Sequence, residues 1–129
     1  MPIDITRLSQ AQPFQPAGHH GVGPVHLFGG EDYDGAVTTA LSHYLPGGRA
    51  DMSAVPAETL YIVLTGALTL DAEGDTHELH ALDAVRLTTG TVRSVENRTN
   101  LPASMLVIRP NSAAGQADNS ADNTVEARS

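Results

Sequence analysis

Turn signals cut the middle of the chain at short, regular intervals, and this spacing leaves room for strands rather than helices. Gly29-Gly30, Pro46-Gly47-Gly48, Ala72-Glu73-Gly74-Asp75, Thr89-Gly90 and the stretch from Asn97 to Pro102 separate segments rich in Val, Thr, Leu, Ile and Tyr. None of those segments sustains a helical period, so the body is predicted all-β. The expected strands are 24–28, 36–45, 59–71 with a break at Gly66, 76–80, 84–87, 92–97 and 103–109. Glu73-Gly74-Asp75, set between Leu68-Thr69-Leu70 and His77-Glu78-Leu79, reads as a hairpin turn. Alternation places Thr59, Tyr61 and Val63 on one strand face and Leu60, Ile62 and Leu64 on the other. Both faces are apolar, which predicts that one lines a barrel while the other meets a second sheet or a second subunit, so a homodimer is expected.

A length of 129 residues suits one domain. Residues 1–23 mix a short apolar segment (Ile3, Ile5, Leu8) with Pro13, Pro16 and a histidine-glycine cluster, and are expected to form an arm on the barrel of residues 24–110. Residues 111–129 offer only alanine and one valine as apolar side chains, too little to offset the entropy of ordering, so a disordered tail is expected. No apolar run approaches the ~20 residues of a membrane helix. The start lacks a basic stretch followed by an apolar run, so a cytoplasmic protein without a membrane partner is expected.

Several chemistries fall away on residue types alone. The chain has no cysteine, which excludes disulfides, thiolate catalysis and sulfur-ligated metals. All seven basic residues are arginine, so neither a lysine Schiff base nor a P-loop lysine is available. A net charge of −8 with no basic stripe argues against nucleic acid as a partner.

Leu45-Pro46-Gly47-Gly48 followed by Glu58-Thr59-Leu60-Tyr61-Ile62-Val63-Leu64-Thr65-Gly66 resembles the first motif of the cupins: a Pro-Gly turn, an HxH pair, a glutamate four residues later, an apolar strand and a glycine. Leu82-Asp83-Ala84-Val85-Arg86-Leu87-Thr88-Thr89-Gly90-Thr91-Val92-Arg93-Ser94-Val95-Glu96-Asn97 resembles the second, with a Gly-Asp, a PxG, a histidine and an asparagine. The match covers about residues 36–109. It implies a small jelly-roll β-barrel of the single-domain kind. Counting back from Gly66 places Ser53 and Val55 at the paired histidines and Thr59 at the glutamate, and counting from Gly90 places Arg93 at the last histidine. A cation needs carboxylate oxygen or neutral imidazole, and these four side chains supply neither, so no metal and no other cofactor is expected there.

If that alignment holds, Arg93 points into the pocket. Its guanidinium either grips a carboxylate or enolate, or closes an internal salt bridge with Glu58, Asp51 or Glu96. Tyr61 and Tyr44 can each place a phenol in the cavity, or serve as core tyrosines with the hydroxyl tied to a carbonyl. Ser53 and Thr59 can hydrogen-bond a ligand, but lack a neighbouring base that would make them nucleophiles. His20, His43 and Glu58 form an alternative, relocated metal set, whereas His77 and His80 fall on opposite strand faces. Asp83 and Asn97 are expected to hold turns. The ligand-binding set is therefore Arg93, Tyr61, Ser53, Thr59 and Tyr44, with no catalytic residue singled out. The expected function is a barrel pocket for a small organic acid or enolate, serving a metal-independent isomerase, lyase or decarboxylase. Its rivals are a non-catalytic ligand-binding or accessory protein, a cupin using non-motif histidines as metal ligands, and a structural protein with a filled barrel.

Overall fold

The computed structural model describes residues 2–112. Its strands are β1 (Gln12–Pro13), β2 (His19–Phe28), β3 (Val37–Ala54), β4 (Thr59–Thr65), β5 (Ala67–Ala72), β6 (Asp75–His80), β7 (Ala84–Leu87), β8 (Val92–Glu96) and β9 (Ala103–Pro110). A single 3-10 turn, Leu8–Gln10, precedes them. Apart from this turn the described chain is β structure and loops, and none of its helices is long and apolar enough to cross a membrane. The strands form one continuous sheet folded into a jelly-roll barrel, in the order β6-β5-β8-β3-β9-β4-β7, with β2 also on β3 and β1 on β2.

The strand expected to stop at residue 45 instead runs to Ala54. Pro46-Gly47-Gly48 bends this strand rather than ending it. Eighteen residues would span about 60 Å if straight, longer than so small a barrel can hold. The bend lets the first half pair with β9 and the second half with β8, so β3 belongs to both leaves of the barrel. Glycine is required at its apex, where a Cβ on Gly48 would lie 2.3 Å from the Gly21 carbonyl oxygen. Opposite the bend, the Gly47 amide donates to the Asn97 carbonyl and the Asn97 amide donates to the Gly48 carbonyl, both at 2.9 Å.

Alternation along β4 sorts as expected: Thr59, Tyr61 and Val63 are buried, while Leu60, Ile62 and Leu64 lie on the more exposed face. Val63 joins Leu68, Leu70, Val95 and Met105 in the core that fills the barrel between its leaves. The 72–75 hairpin forms in register, Ala72 opposite Asp75. Asp83 holds its turn by accepting from the His80 amide at 2.8 Å.

The first expected strand, β2, begins at His19 rather than residue 24, so residues 19–23 of the expected arm belong to the sheet and pair with β3. The rest of the arm touches the body only in part. Residues 12–13 pair with β2, and the Phe14 amide donates to the Pro24 carbonyl at 3.1 Å. Ile3, Ile5 and Leu8, the apolar residues that suggested packing, are each about three-fifths exposed or more. At the other end Asn111 is tied back, its amide donating to the Ala36 carbonyl and its side chain to those of Tyr33 and Gly35. Asn111 is the first residue of the tail expected over 111–129; from residue 113 onward that tail lies outside the described residues.

Candidate functional site

The bend of β3 and the start of β8 bring Ser53 directly opposite Arg93. Arg93 is 6% exposed. Its Nε donates to the Tyr61 hydroxyl at 2.7 Å, and one terminal nitrogen donates to Ser53 Oγ at 3.0 Å and to the Asp51 backbone carbonyl at 3.1 Å. Every one of these acceptors is neutral. The acids expected as alternatives are engaged elsewhere: Glu58 with Arg86, the Asp51 carboxylate with His20 and Arg49, and Glu96 with Arg98. Arg93 is therefore not an internal ion-pair partner among the described residues.

A second arginine shares this space. Alternation along β9 turns Met105, Val107 and Arg109 inward to line the same cavity, whose volume is about 200 Å³. Arg109 Nε donates to Thr59 Oγ1 at 2.9 Å, and Thr59 in turn donates to the Ala57 carbonyl. Burial and the nearby Arg93 push the Arg109 pKa down, while Tyr61 partly opposes this. Thr59 does not line the cavity; it anchors Arg109 from behind.

His19, at the start of β2, completes the polar lining. Its Nδ1 lies 3.0 Å from the Ala17 carbonyl oxygen. A carbonyl only accepts, so Nδ1 carries the proton and the neutral ring keeps its lone pair on Nε2. Burial holds the His19 pKa below its ordinary value, and the charges of Arg93 and Arg109 push it the same way; the Ala17 bond and Asp51 oppose them. Tyr61 accepts from Arg93 and retains its own hydroxyl proton for donation. Burial, reinforced by Tyr61 and opposed by Arg93, raises the Tyr44 pKa, so that phenol stays protonated. Phe14 and Pro16 from the arm form part of the wall, and Phe14 stacks on His26 with ring centroids 3.9 Å apart.

The cavity thus gathers four of the five residues expected to bind a ligand, Arg93, Tyr61, Ser53 and Tyr44, with Thr59 behind them. It also holds His19 and Arg109, which sequence reasoning did not select. Arg109 was legible in principle, as the inward member of the Met105, Val107, Arg109 alternation. His19 carried no such signal, because its place depends on the long-range pairing of β2 with the far half of β3.

The relocated metal set is not assembled. His20 and Glu58 are exposed and bonded to Asp51 and Arg86, and His43 is exposed on β3, where it alternates with the inward Ser42 and Tyr44. No group of three or more metal-ligating side chains converges among the described residues. At the positions where cupins carry a metal, the donors do not fit one. Arg93 reaches Ser53 and puts a fixed cation where a metal ion belongs, Thr59 is taken by Arg109, and Val55 is a core side chain.

A jelly-roll barrel with a small cavity between its leaves is the architecture of the cupin class. The cupin domain family matches residues 40–109, and the chain belongs to that family. It is 38% identical over 106 residues to a beta-D-galactosidase of Mycobacterium tuberculosis, covering 81% of this chain and 91% of that protein. Among solved structures it resembles a polyketide cyclase from Streptomyces resistomycificus, with a TM-score of 0.74 and 16% identity over 84% of this chain and 79% of that one. It also resembles a Cupin 2 conserved barrel domain protein from Salinispora arenicola, with a TM-score of 0.72 and 18% identity over 93% of this chain and 98% of that one.

Proposed function

We propose that the cavity binds a small organic acid and stabilises its enolate, with the Arg93 guanidinium in the place that a metal cation takes in other cupins. The observation that carries this reading is that Arg93 is buried and held only by neutral acceptors, so its charge remains to be met by an anion. His19 Nε2 is the available proton acceptor, and the Tyr61 hydroxyl the available donor. Abstraction of a proton α to a carboxylate or ketone, with return of a proton at another atom, is an isomerisation; loss of a β substituent instead makes the protein a lyase. A cavity of about 200 Å³ suits a small metabolite, since clefts for drug-sized ligands begin near 300 Å³.

The test is calorimetric titration of small 2-oxo acids and carboxylates into the wild type and Arg93→Leu. Binding lost in a variant that keeps its circular dichroism supports the reading, and unchanged binding overturns it. Proton exchange of a 2-oxo acid in deuterated water, followed by NMR, separates catalysis from binding alone. Exchange that disappears in His19→Gln assigns the base. Affinity without exchange leaves a non-catalytic binding or accessory protein.

A second reading rests on the 38% identity to a protein named as a beta-D-galactosidase: the cavity takes a galactoside. Most glycoside hydrolysis employs two carboxylates flanking the scissile bond, and no Asp or Glu side chain lines this cavity. Release of nitrophenol from nitrophenyl β-D-galactoside, lost in Tyr61→Phe and Arg93→Leu, would establish that reading. Oligomeric state belongs to the proposal too: the apolar outward residues of β4 and β9, Leu60, Ile62, Leu106 and Ile108, lie side by side and suit a second copy of the chain.

A further inference from the structure

We propose that the cavity is built for a dianion, a short dicarboxylate or a phosphate monoester, with Arg93 and Arg109 each holding one end of its charge. This rests on the reading in which Arg93 binds an anion, and adds to it a second charge and a residue that recognises it.

The argument begins with where the acids are not. The chain carries fifteen acidic residues against seven arginines, so carboxylates are in excess. Arg49, Arg86 and Arg98 on the surface each meet one or more of them. Arg93 and Arg109, the two that line the cavity, meet none within 4 Å among the described residues, and no Asp or Glu side chain joins them in the lining. Two guanidinium groups in one partly desolvated space repel each other and cost more than one. That cost is offset when a ligand brings matching charge.

Neutral acceptors orient both groups. Arg93 is aimed by Tyr61, Ser53 and the Asp51 carbonyl, and Arg109 by Thr59. Each arginine still has a terminal nitrogen with no hydrogen bond to the described protein, so each can make a charge-assisted bond to a ligand oxygen. Arg109 also hydrogen-bonds the Tyr61 hydroxyl that Arg93 holds, so the two guanidinium groups stand side by side around one phenol. Two cations so close can converge on one phosphate or on the two carboxylates of a short diacid. The burial and neighbouring charge that depress the Arg109 pKa are the same field that a dianion would relieve.

The experiment is titration calorimetry on the full-length protein at mildly alkaline pH. Malonate, succinate and glutarate are compared with their monomethyl esters, and glycerol phosphate with dimethyl phosphate. The wild type should bind the best dianion about tenfold or more tighter than its singly charged counterpart, as expected for one additional charge-assisted hydrogen bond. Arg109→Gln should remove that preference, so that diacid and monoester bind alike, while Arg109→Lys should retain part of it. Which series binds more tightly identifies the dicarboxylate or the phosphate as the source of charge. A monoester bound as tightly as its diacid, or a preference that survives in a folded Arg109→Gln, overturns this inference and leaves the Arg93 reading standing. Failure of every probe, singly and doubly charged, overturns both.

Discussion

Arg93 donates from Nε to the Tyr61 hydroxyl at 2.7 Å, across the barrel from β8 to β4, and this bond ties the cation to a phenol that lines the cavity. The same contact explains why Arg93 is tolerated at 6% exposure: each donor it commits finds an oxygen, although none of those oxygens carries charge. Its polar bonds are satisfied while its charge is not. That separation is the basis of the proposed anion binding.

The two side chains should be energetically coupled. Tyr61→Phe strands a buried charged donor and should cost about 1–3 kcal/mol, whereas Arg93→Leu removes the buried charge itself and should cost less. In the double variant no donor is stranded, so urea denaturation should show a departure from additivity of about 1–2 kcal/mol. Additivity within about 0.5 kcal/mol would mean that the bond carries no net stability.

Acid should weaken the fold first through its histidines. His19 and His26 both titrate below their ordinary 6.5 in the folded protein, chiefly through burial. As pH falls below 6.5 the unfolded chain takes up protons that the folded chain refuses, so stability declines until the lowered folded pKa values are passed. Above 6.5 these two groups contribute no slope. Asp51, lowered from 3.8 by its bonds to His20 and Arg49, contributes stability above 3.8 that is lost only as pH falls through its lower folded value. Melting temperature against pH should therefore show two separate declines, and His19→Gln should shrink only the upper one. An unchanged upper decline in a His19→Gln, His26→Gln double variant would refute this assignment.

Much of the architecture was written in local pattern. The hairpin at 72–75 and the inward set Thr59, Tyr61 and Val63 both appear in the structure, and Ser53 and Arg93, which the cupin resemblance put at ligand positions, stand opposite each other. What local pattern missed was long-range. Pro46-Gly47-Gly48 has the composition of a strand-ending turn, and only the demand that β3 serve both leaves makes it a bend. Arg109 stands outside any motif and was legible only as the inward end of the β9 alternation, and His19, the base of the proposed reaction, became visible only when β2 was placed beside β3.

The bend yields a sharp contrast between two glycines. A methyl group on Gly48 would meet the Gly21 carbonyl oxygen at 2.3 Å and the Leu45 carbonyl oxygen at 3.0 Å, both backbone atoms that cannot rotate away. Gly48→Ala should cost about 1–3 kcal/mol in thermal or chemical denaturation. Gly23 lies on the same strand as Gly21 with nothing within 4 Å of such a methyl, so Gly23→Ala should stay within about 0.5 kcal/mol. Equal effects would show that the bend relaxes freely.

Metal ions should not stabilise the protein. Arg93 stands 3.0 Å from Ser53 Oγ at the positions where the family's ligands belong, and its charge repels a cation. Added manganese, iron(II) or zinc should leave the melting temperature unchanged, as should treatment with a chelator. A stoichiometric transition metal in protein purified without chelators would contradict this.

Asn97 is the brace whose loss should be felt furthest. It is fully buried, and its side-chain amide donates to the Leu101 carbonyl at 2.8 Å and to the Tyr44 carbonyl at 3.2 Å. Its side-chain oxygen accepts from the Thr99 amide at 2.9 Å and the Thr99 hydroxyl at 2.8 Å. Asn97→Ala leaves these groups without that partner and should cost about 3 kcal/mol or more, since each unmade buried bond costs about 1–3 kcal/mol. Asn97→Asp keeps the Thr99 contacts but turns a carboxylate oxygen toward two carbonyls, so at neutral pH it should be less stable than the alanine variant. On acidification the aspartate variant should gain on the alanine variant, because a protonated carboxyl can again donate to one of those carbonyls. Tyr44 lines the cavity, so any folded variant here should also bind anions more weakly than the wild type. Urea denaturation of both variants across the acid range decides the matter: an alanine variant within about 0.5 kcal/mol of wild type, or an aspartate variant that never gains on it, would sink the assignment of Asn97 as a buried brace.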